Sequence, residues 1–341
     1  MAKATIADIA REANVSVTTV SRFINGNYGK MSEATKNRVQ ETVDRLQYHP
    51  RASAQKMRQD HTHVVGVIVA DISNVFSSLL FKGIYTELQP AGYDVMLMNS
   101  NNSLGEESDE IGRLLSQEVD GLIIQPNARD FSAYASITDN RTPLVMVDRR
   151  SEGQPATVSS VTADNRESCL RLGLELARRG YENILPLSRT GSQISAQSSR
   201  VEGFQEAGER TGSLVMPMEV GDHGQEWIGK ELDRTVSHLK GKTAIISLIG
   251  PLLFDLLDVF KGLDWSFPED IGLVSFDDWS WSRYVGDGIY LLQQDPQALG
   301  QACAHNLLEQ MGIAAETGEG DPYGASRQIT LPVACIEAPS I

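Results

Sequence analysis

The chain is poor in the features that commit a protein to a membrane or an oxidising compartment. No apolar run of its 341 residues approaches the ~20 needed to span a bilayer. The amino terminus has no apolar core of a secretory signal, so a cytoplasmic location and no membrane partner are expected. There are three cysteines, Cys169, Cys303 and Cys335, scattered and odd in number. They fit neither a disulfide framework nor a metal site and read as small buried hydrophobes in a reducing compartment. His61 and His63 lie in a polar stretch with no third ligand beside them, so no metal and no cofactor is expected. P-loop, G-x-S-x-G and H-E-x-x-H motifs are all missing. Asp277 and Asp278 are adjacent carboxylates, but neighbours on a strand point to opposite faces and make a poor acid/base pair. A binding role is therefore expected over an enzymatic one.

Positive charge is also scarce. The net charge is −15, which by itself argues against nucleic acid, yet the distribution reverses that reading. Residues 1–63 carry ten Lys/Arg and six Asp/Glu, a net +4, and the remainder carries −19. A basic head on an acidic body confines phosphate attraction to the head.

That head contains the densest signal in the chain, Thr5 to Asn25. Ile6, Ile9, Ala10 and Ala13 recur at helical spacing, and Thr5 with Asp8 three residues on forms a capping box. The helix is expected to stop near Asn14, with Ser16 capping a second one whose inward residues are Val20 and Ile24. Two short helices joined by a tight turn form a helix-turn-helix, whose second helix enters the DNA major groove. Val17, Thr18 and Arg22 leave that helix from one side. Arg22 can donate twice to a guanine edge, and Val17 and Thr18 can meet a thymine methyl or a base polar atom. The hydroxyls of Ser16, Thr19 and Ser21 suit phosphate oxygens. A third helix starts at Ser32, with Val39, Val43 and Leu46 inward. The bland alternative is a small helical bundle with a solvated Ser/Thr face.

The pattern T-I-x-D-I-A-x-x-A-x-V-S-x-x-T-V-S-R-x-x-N, from Thr5 to Asn25, closely resembles the lactose/galactose repressor (LacI/GalR) family. The resemblance adds Thr5 and Asn25 to the DNA-binding set. It also makes residues 50–63 a hinge segment, within which Pro50–Arg58 would order on the operator and enter the minor groove. Ala54 would face the groove floor, Arg58 would add a basic contact, and Met57 stands where the family usually has a wedging Leu. Alone, so short a run would not hold helical form in water.

From Val64 to the C terminus, apolar strands alternate with helices, and the rhythm restarts after Asp164. That pattern indicates two doubly wound parallel-sheet lobes. Pro186 inside a strand points to an edge or a bulge. The resemblance makes this body periplasmic-binding-protein-like, with three crossings between lobes. Lobe 1 would be about 64–160 plus 290–325, and lobe 2 about 161–289 plus 326–341. The expected fold class is thus an all-α headpiece, 1–49, on an α/β body.

In such sheets ligands bind beyond the carboxyl ends of the strands. The polar and aromatic residues there are Asp71, Asn74, Phe76, Gln125, Asp148, Arg149, Arg200, Asp277, Trp279 and Gln294, a set suited to a polyol. Arg200 (in R-x-x-G-F), Asp277, Gln125, Asp148 and Gln294 also fall on the family's effector positions. Where many members carry Asn-Asp, this chain has Ile249-Gly250. Val147-Asp148-Arg149 and Phe276-Asp277-Asp278-Trp279 look like the branch that answers to sugar acids such as ketodeoxygluconate. Arg149 and Arg200 could hold a carboxylate, or Arg149 could be an inter-lobe or surface salt bridge. Trp279 and Trp281 could be site or core.

The expectation is a transcription regulator, a repressor by family pattern, binding double-stranded palindromic operator DNA as a homodimer under control of a sugar, sugar acid or sugar phosphate. A transport solute-binding protein would share the body but not the headpiece. The tail carries no heptads, so no tetramerising coiled coil is expected.

Overall fold

The computed structural model describes residues 4–24, 26–29, 31–48, 61–189, 194–277, 281–313 and 327–341. Asn25, Ala54, Met57, Arg58 and Trp279 lie outside them. Two compact units result, residues 1–62 and 63–341.

In the first unit α1 (Ile6–Glu12) is closed by the capping box: the Asp8 N–H donates to Thr5 Oγ1 at 3.3 Å, and the Thr5 N–H donates to Asp8 Oδ2 at 3.0 Å. Asn14, at φ +52°, turns the chain. Ser16 Oγ then accepts the Thr19 N–H at 3.0 Å and starts α2 (Val17–Ile24). Ser32 caps α3 (Glu33–Arg45). Ile9, Ala10, Ala13, Val20, Phe23 and Val39 form the buried centre. Phe23, outside the Val20/Ile24 stripe read from the sequence, is more deeply buried than Ile24 because it closes the corner against Tyr28, ring to ring at 5.8 Å.

The second unit opens with β1 (Val64–Val69), α4 (Val75–Leu88), β2 (Asp94–Asn99), α5 (Leu104–Ser116), β3 (Gly121–Ile124), α6 (Ala135–Asp139), β4 (Leu144–Val147) and β5 (Ser159–Ala163). The chain then enters the other lobe: α7 (Asn165–Arg178), β6 (Tyr181–Ser188), α8 (Ser195–Thr211), β7 (Leu214–Val215), β8 (Met218–Glu219), α9 (Gln225–Val236), β9 (Lys242–Ser247), α10 (Gly250–Leu263), β10 (Gly272–Phe276) and β11 (Tyr290–Gln293). It returns for α11 (Pro296–Gln310) and β12 (Gln328–Leu331) and ends in β13 (Ala334–Ile336). The sheets run β12-β5-β4-β3-β1-β2 and β13-β11-β10-β9-β6-β7, with β8 also on β6.

These pairings move the lobe boundaries expected from sequence. β5 stays in the first sheet, so the first crossing falls at Asp164 and not at 160. β11 belongs to the second sheet, with Val274 opposite Tyr290, so the second crossing follows Gln293 and residues 290–293 are not part of lobe 1. The stretch 328–337 is divided. β12 completes the first sheet and only β13 joins the second. An apolar strand satisfies either sheet equally, and β11 pairs in the second sheet although the helix that follows it, α11, packs on α4 in the first core. The second sheet is also not wholly parallel. Two residues, Pro332 and Val333, separate β12 from β13, too few for a crossover helix, and β13 lies antiparallel to β11.

Pro186 sits in neither an edge strand nor the bulge, which falls between Tyr181 and Asn183. The Ile184 and Ser188 carbonyls accept from Met216 and Val220, so position 186 faces the same flank, where the neighbouring strand is broken between β7 and β8. Its missing N–H falls at that break.

Each lobe has one very close helix pair. A Cβ on Gly83 of α4 would lie 2.0 Å from the Gln297 carbonyl of α11, and one on Gly300 would lie 2.2 Å from the Leu80 carbonyl. In lobe 2, a Cβ on Gly203 of α8 would meet the Arg166 carbonyl of α7 at 2.2 Å.

Candidate functional site: an inter-lobe cleft and an exposed recognition helix

On α2 the side chains divide cleanly. Val20 and Phe23 are buried, whereas Ser16, Val17, Thr18 and Arg22 are exposed and Thr19 and Ser21 half-buried. Val17 is 47% exposed, an apolar group held out at the start of a helix with no fold partner to justify it. Thr5 is different: its hydroxyl donates to Asp8 Oδ2 at 2.6 Å while accepting the Asp8 N–H, so the cap occupies it.

In the body, the carboxyl ends of the strands from both lobes face a cavity of about 60 Å³. It is lined by Asn74, Phe76, Gln125, Asp148, Arg149, Arg200, Asp277 and Gln294, together with Ile194, Ala196, Gln197, Ile249 and Gly250. Eight sequence-identified residues are thus brought together. Asp71 is not among them; its Oδ1 accepts from the Ser73 N–H (2.9 Å) and hydroxyl (2.7 Å) and shapes its own turn. Asn74 caps α4 through the Phe76 N–H. Gln197 was not legible as a site residue. It lies three positions before Arg200, one helical turn along the same face of α8, and that spacing was its only signal.

Two aspartates dominate the chemistry. Asp148 follows β4 and Asp277 follows β10, and both adopt left-handed backbone, φ +65° and +51°. Such a conformation costs about 1–3 kcal/mol in a non-glycine residue and persists where the surroundings over-determine it. Here the Asp148 N–H donates to the Val161 carbonyl and the Asp277 N–H to the Leu292 carbonyl, so each chain end is pinned to the neighbouring strand. Each carboxylate also holds an amide. Gln125 Nε2 donates to Asp148 at 2.8 Å, and Gln294 donates to Asp277 through both its N–H (2.9 Å) and Nε2 (2.6 Å).

The guanidiniums are buried too. Arg200 donates from Nε to Asn165 Oδ1 at 2.7 Å and from Nη1 to the Leu248 carbonyl, and lies 3.6 Å over the Phe276 ring. Arg149 donates to Asn127 Oδ1 (2.6 Å) and Asn102 Oδ1 (3.2 Å), with Nε 3.7 Å from Asp148 Oδ2. It is therefore neither a surface nor an inter-lobe salt bridge, but a cation fixed inside lobe 1. Beyond it, the buried Glu107 carboxylate accepts the Tyr134 hydroxyl and the Asn127 N–H. Burial pushes both guanidiniums below their ordinary range, against the opposing pull of Asp148 on Arg149 and of Asp277 on Arg200.

Burial raises Asp277 to about 6, against the lowering effects of Arg200 and Gln294. Folding thus takes up a proton between the ordinary value of 3.8 and about 6. The stabilisation is complete below about pH 4 and lost as pH rises through about 6. Relative to Asp277→Asn, the wild type should gain about 2–2.5 kcal/mol between pH 7.5 and pH 4, as read by urea unfolding. Parallel pH profiles for the two proteins would exclude a buried, reluctantly ionised Asp277.

A second, larger cavity of about 250 Å³ adjoins the first, sharing Asp148 and Ala196. At its wall the Arg150 N–H donates to Ser195 Oγ at 2.7 Å, a direct bond between lobes. Among the described residues no cluster of metal-ligating side chains occurs, and no helix is long and apolar enough to cross a membrane.

A helix-turn-helix with an exposed recognition face, joined in sequence to a two-lobed body with a polar cleft, is the arrangement of a DNA-binding regulator with a ligand-binding domain. Residues 5–51 match the family model described as bacterial regulatory proteins, lacI family. Residues 62–223 match periplasmic binding proteins and sugar binding domain of LacI family, and 174–337 match a periplasmic binding protein-like domain. The chain is 27% identical over 340 residues to the HTH-type transcriptional regulator KdgR of Bacillus subtilis, covering 99% of this chain and 97% of that one. It is 30% identical over 279 residues to catabolite control protein A of Staphylococcus aureus, covering 80% and 82%. The lac repressor dimer bound to operator and an anti-inducer superposes with a TM-score of 0.80 at 21% identity, over 99% of each chain, a likeness of fold. The chain belongs to the LacI family and is a DNA-binding transcriptional regulator with a ligand-binding domain.

Proposed function

We propose that the protein is a repressor that holds a roughly palindromic operator as a homodimer and changes its grip when a sugar acid binds between the lobes. The observation that carries this reading is the cleft itself: two buried carboxylates to accept from hydroxyls and two buried guanidiniums to hold an anion, drawn from both lobes. A ligand that touches both lobes binds the closed arrangement better than the open one, and only such a difference can shift an equilibrium. The cavity has room for about two waters, so the ligand enters by parting the lobes. The relatives named above support a catabolic role: one is a catabolite control protein, aligned over 80% of this chain and 82% of its own.

The test is selection of bound sequences from a randomised duplex pool, followed by anisotropy titrations with and without D-gluconate, D-glucose and D-glucose 6-phosphate. Two inverted half-sites are expected, with affinity changed by gluconate more than by glucose. A pool that yields no preferred sequence would defeat the proposal. On the selected duplex, Arg22→Ala should cost about 1–3 kcal/mol and relax preference at one base position per half-site. If binding weakens equally on all sequences, Arg22 contacts phosphate instead.

A further inference from the structure

Three of the described residues that line the inter-lobe cavity each carry a buried polar atom with no hydrogen bond: Gln197 Oε1, Gln294 Oε1 and Arg149 Nε. Their residues are 4%, 4% and 9% exposed. Such atoms are costly to bury unless a partner arrives. The contrast with Gln125, in the same wall, is instructive. Its Oε1 accepts the Ala70 N–H at 2.9 Å and its Nε2 serves Asp148, so both ends of that amide are used by the fold. Gln294 is half-used: Nε2 must face Asp277, because a carboxylate can only accept, and Oε1 is left without a donor. Gln197 Oε1 has no such internal reason to be where it is.

The orphan atoms also have a sign. Two are acceptors, and the Asp148 and Asp277 carboxylates beside them are acceptors as well, against one orphan donor at Arg149. A wall of that kind is complementary to a ligand with several hydroxyl donors and one anionic or acceptor group. Gln197 stands on α8 of lobe 2, one turn from Arg200, whereas Arg149 and Asp148 stand on lobe 1.

We propose that Gln197 is a specificity-determining residue, whose side-chain carbonyl accepts a hydroxyl of a polyhydroxylated effector and ties that hydroxyl to lobe 2. This rests on the functional reading above. It adds that the second lobe selects its ligand through a neutral amide as well as through Arg200 and Asp277.

Full-length wild type, Gln197→Met and Gln197→Leu are to be compared by calorimetric titration with D-gluconate, D-glucose and D-glucose 6-phosphate, and by thermal unfolding without ligand. Both variants keep the volume and remove the acceptor. The expected result is a loss of at least tenfold in affinity for whichever probe the wild type binds most tightly, with an unliganded midpoint unchanged or raised because an unsatisfied polar atom is gone. Unchanged affinity in a folded variant would overturn the proposal. A lowered midpoint with unchanged affinity would also overturn it, making Gln197 a structural residue. If the wild type binds none of the three probes, the functional reading fails and the proposal falls with it.

Discussion

Arg200→Ala should abolish the response of operator binding to the effector and weaken the body by about 3–5 kcal/mol, the usual cost of removing one partner from a buried charge pair. The size follows from its surroundings. The guanidinium satisfies Asn165 and the Leu248 carbonyl, covers the Phe276 ring and faces the Asp277 carboxylate, all away from water. Alanine leaves Asn165 Oδ1 and the Leu248 carbonyl without their donors and Asp277 without the positive charge that favours its ionised form. Protonation of Asp277 would recover part of the loss, so the deficit should shrink at acid pH. Arg200→Lys keeps a charge but has no planar fork, and should fold better than Arg200→Ala while still failing to respond. Urea unfolding reads the first effect and an operator titration across effector concentration reads the second. An unchanged dose response in a folded variant would remove Arg200 from the site.

Gly83→Ala should be comparably damaging although it touches no ligand. The added methyl would stand 2.0 Å from the Gln297 carbonyl, far inside contact distance, and that oxygen belongs to the backbone of α11 and cannot rotate away. The two helices would have to separate, opening the core around Leu80, Ile84 and Leu299. A loss of more than about 3 kcal/mol is expected, at the upper end of the cost of overpacking. Gly112→Ala is the control. It is also helical, and a Cβ there meets nothing within 4 Å, so it should stabilise by up to about 1 kcal/mol. Equal behaviour of the two variants in thermal unfolding would mean that the α4–α11 contact is not set by Gly83.

The sequence made some of this visible and hid the rest for physical reasons. The capping box at Thr5 and Asp8, the cap at Ser16 and the exposed Val17, Thr18 and Arg22 are local features, readable within one turn of chain. The doubly wound lobes were legible because buried parallel strands need continuous apolar runs. Assignment of β11 and β12 to lobes was not, since it depends on what each strand pairs with and not on its composition. Strand ends located most of the cleft, yet Asp71 satisfied the same rule and is spent on a turn. Gln197 lies inside a helix, where position relative to a strand end gives no signal, and its place in the cavity wall and its unmet carbonyl reveal it.

The order in which the segments of lobe 1 are made has a consequence for synthesis. Five strands of its sheet are complete by Ala163, but the sixth, β12, and the covering helix α11 are encoded after the whole of lobe 2 up to Gln293. A nascent chain therefore leaves part of one face of that sheet, over β3, β4 and β5, uncovered until α11 is made. At about 5–20 residues per second that is a wait of many seconds. Fragments that end early would retain the basic headpiece and lack a finished lobe to govern it.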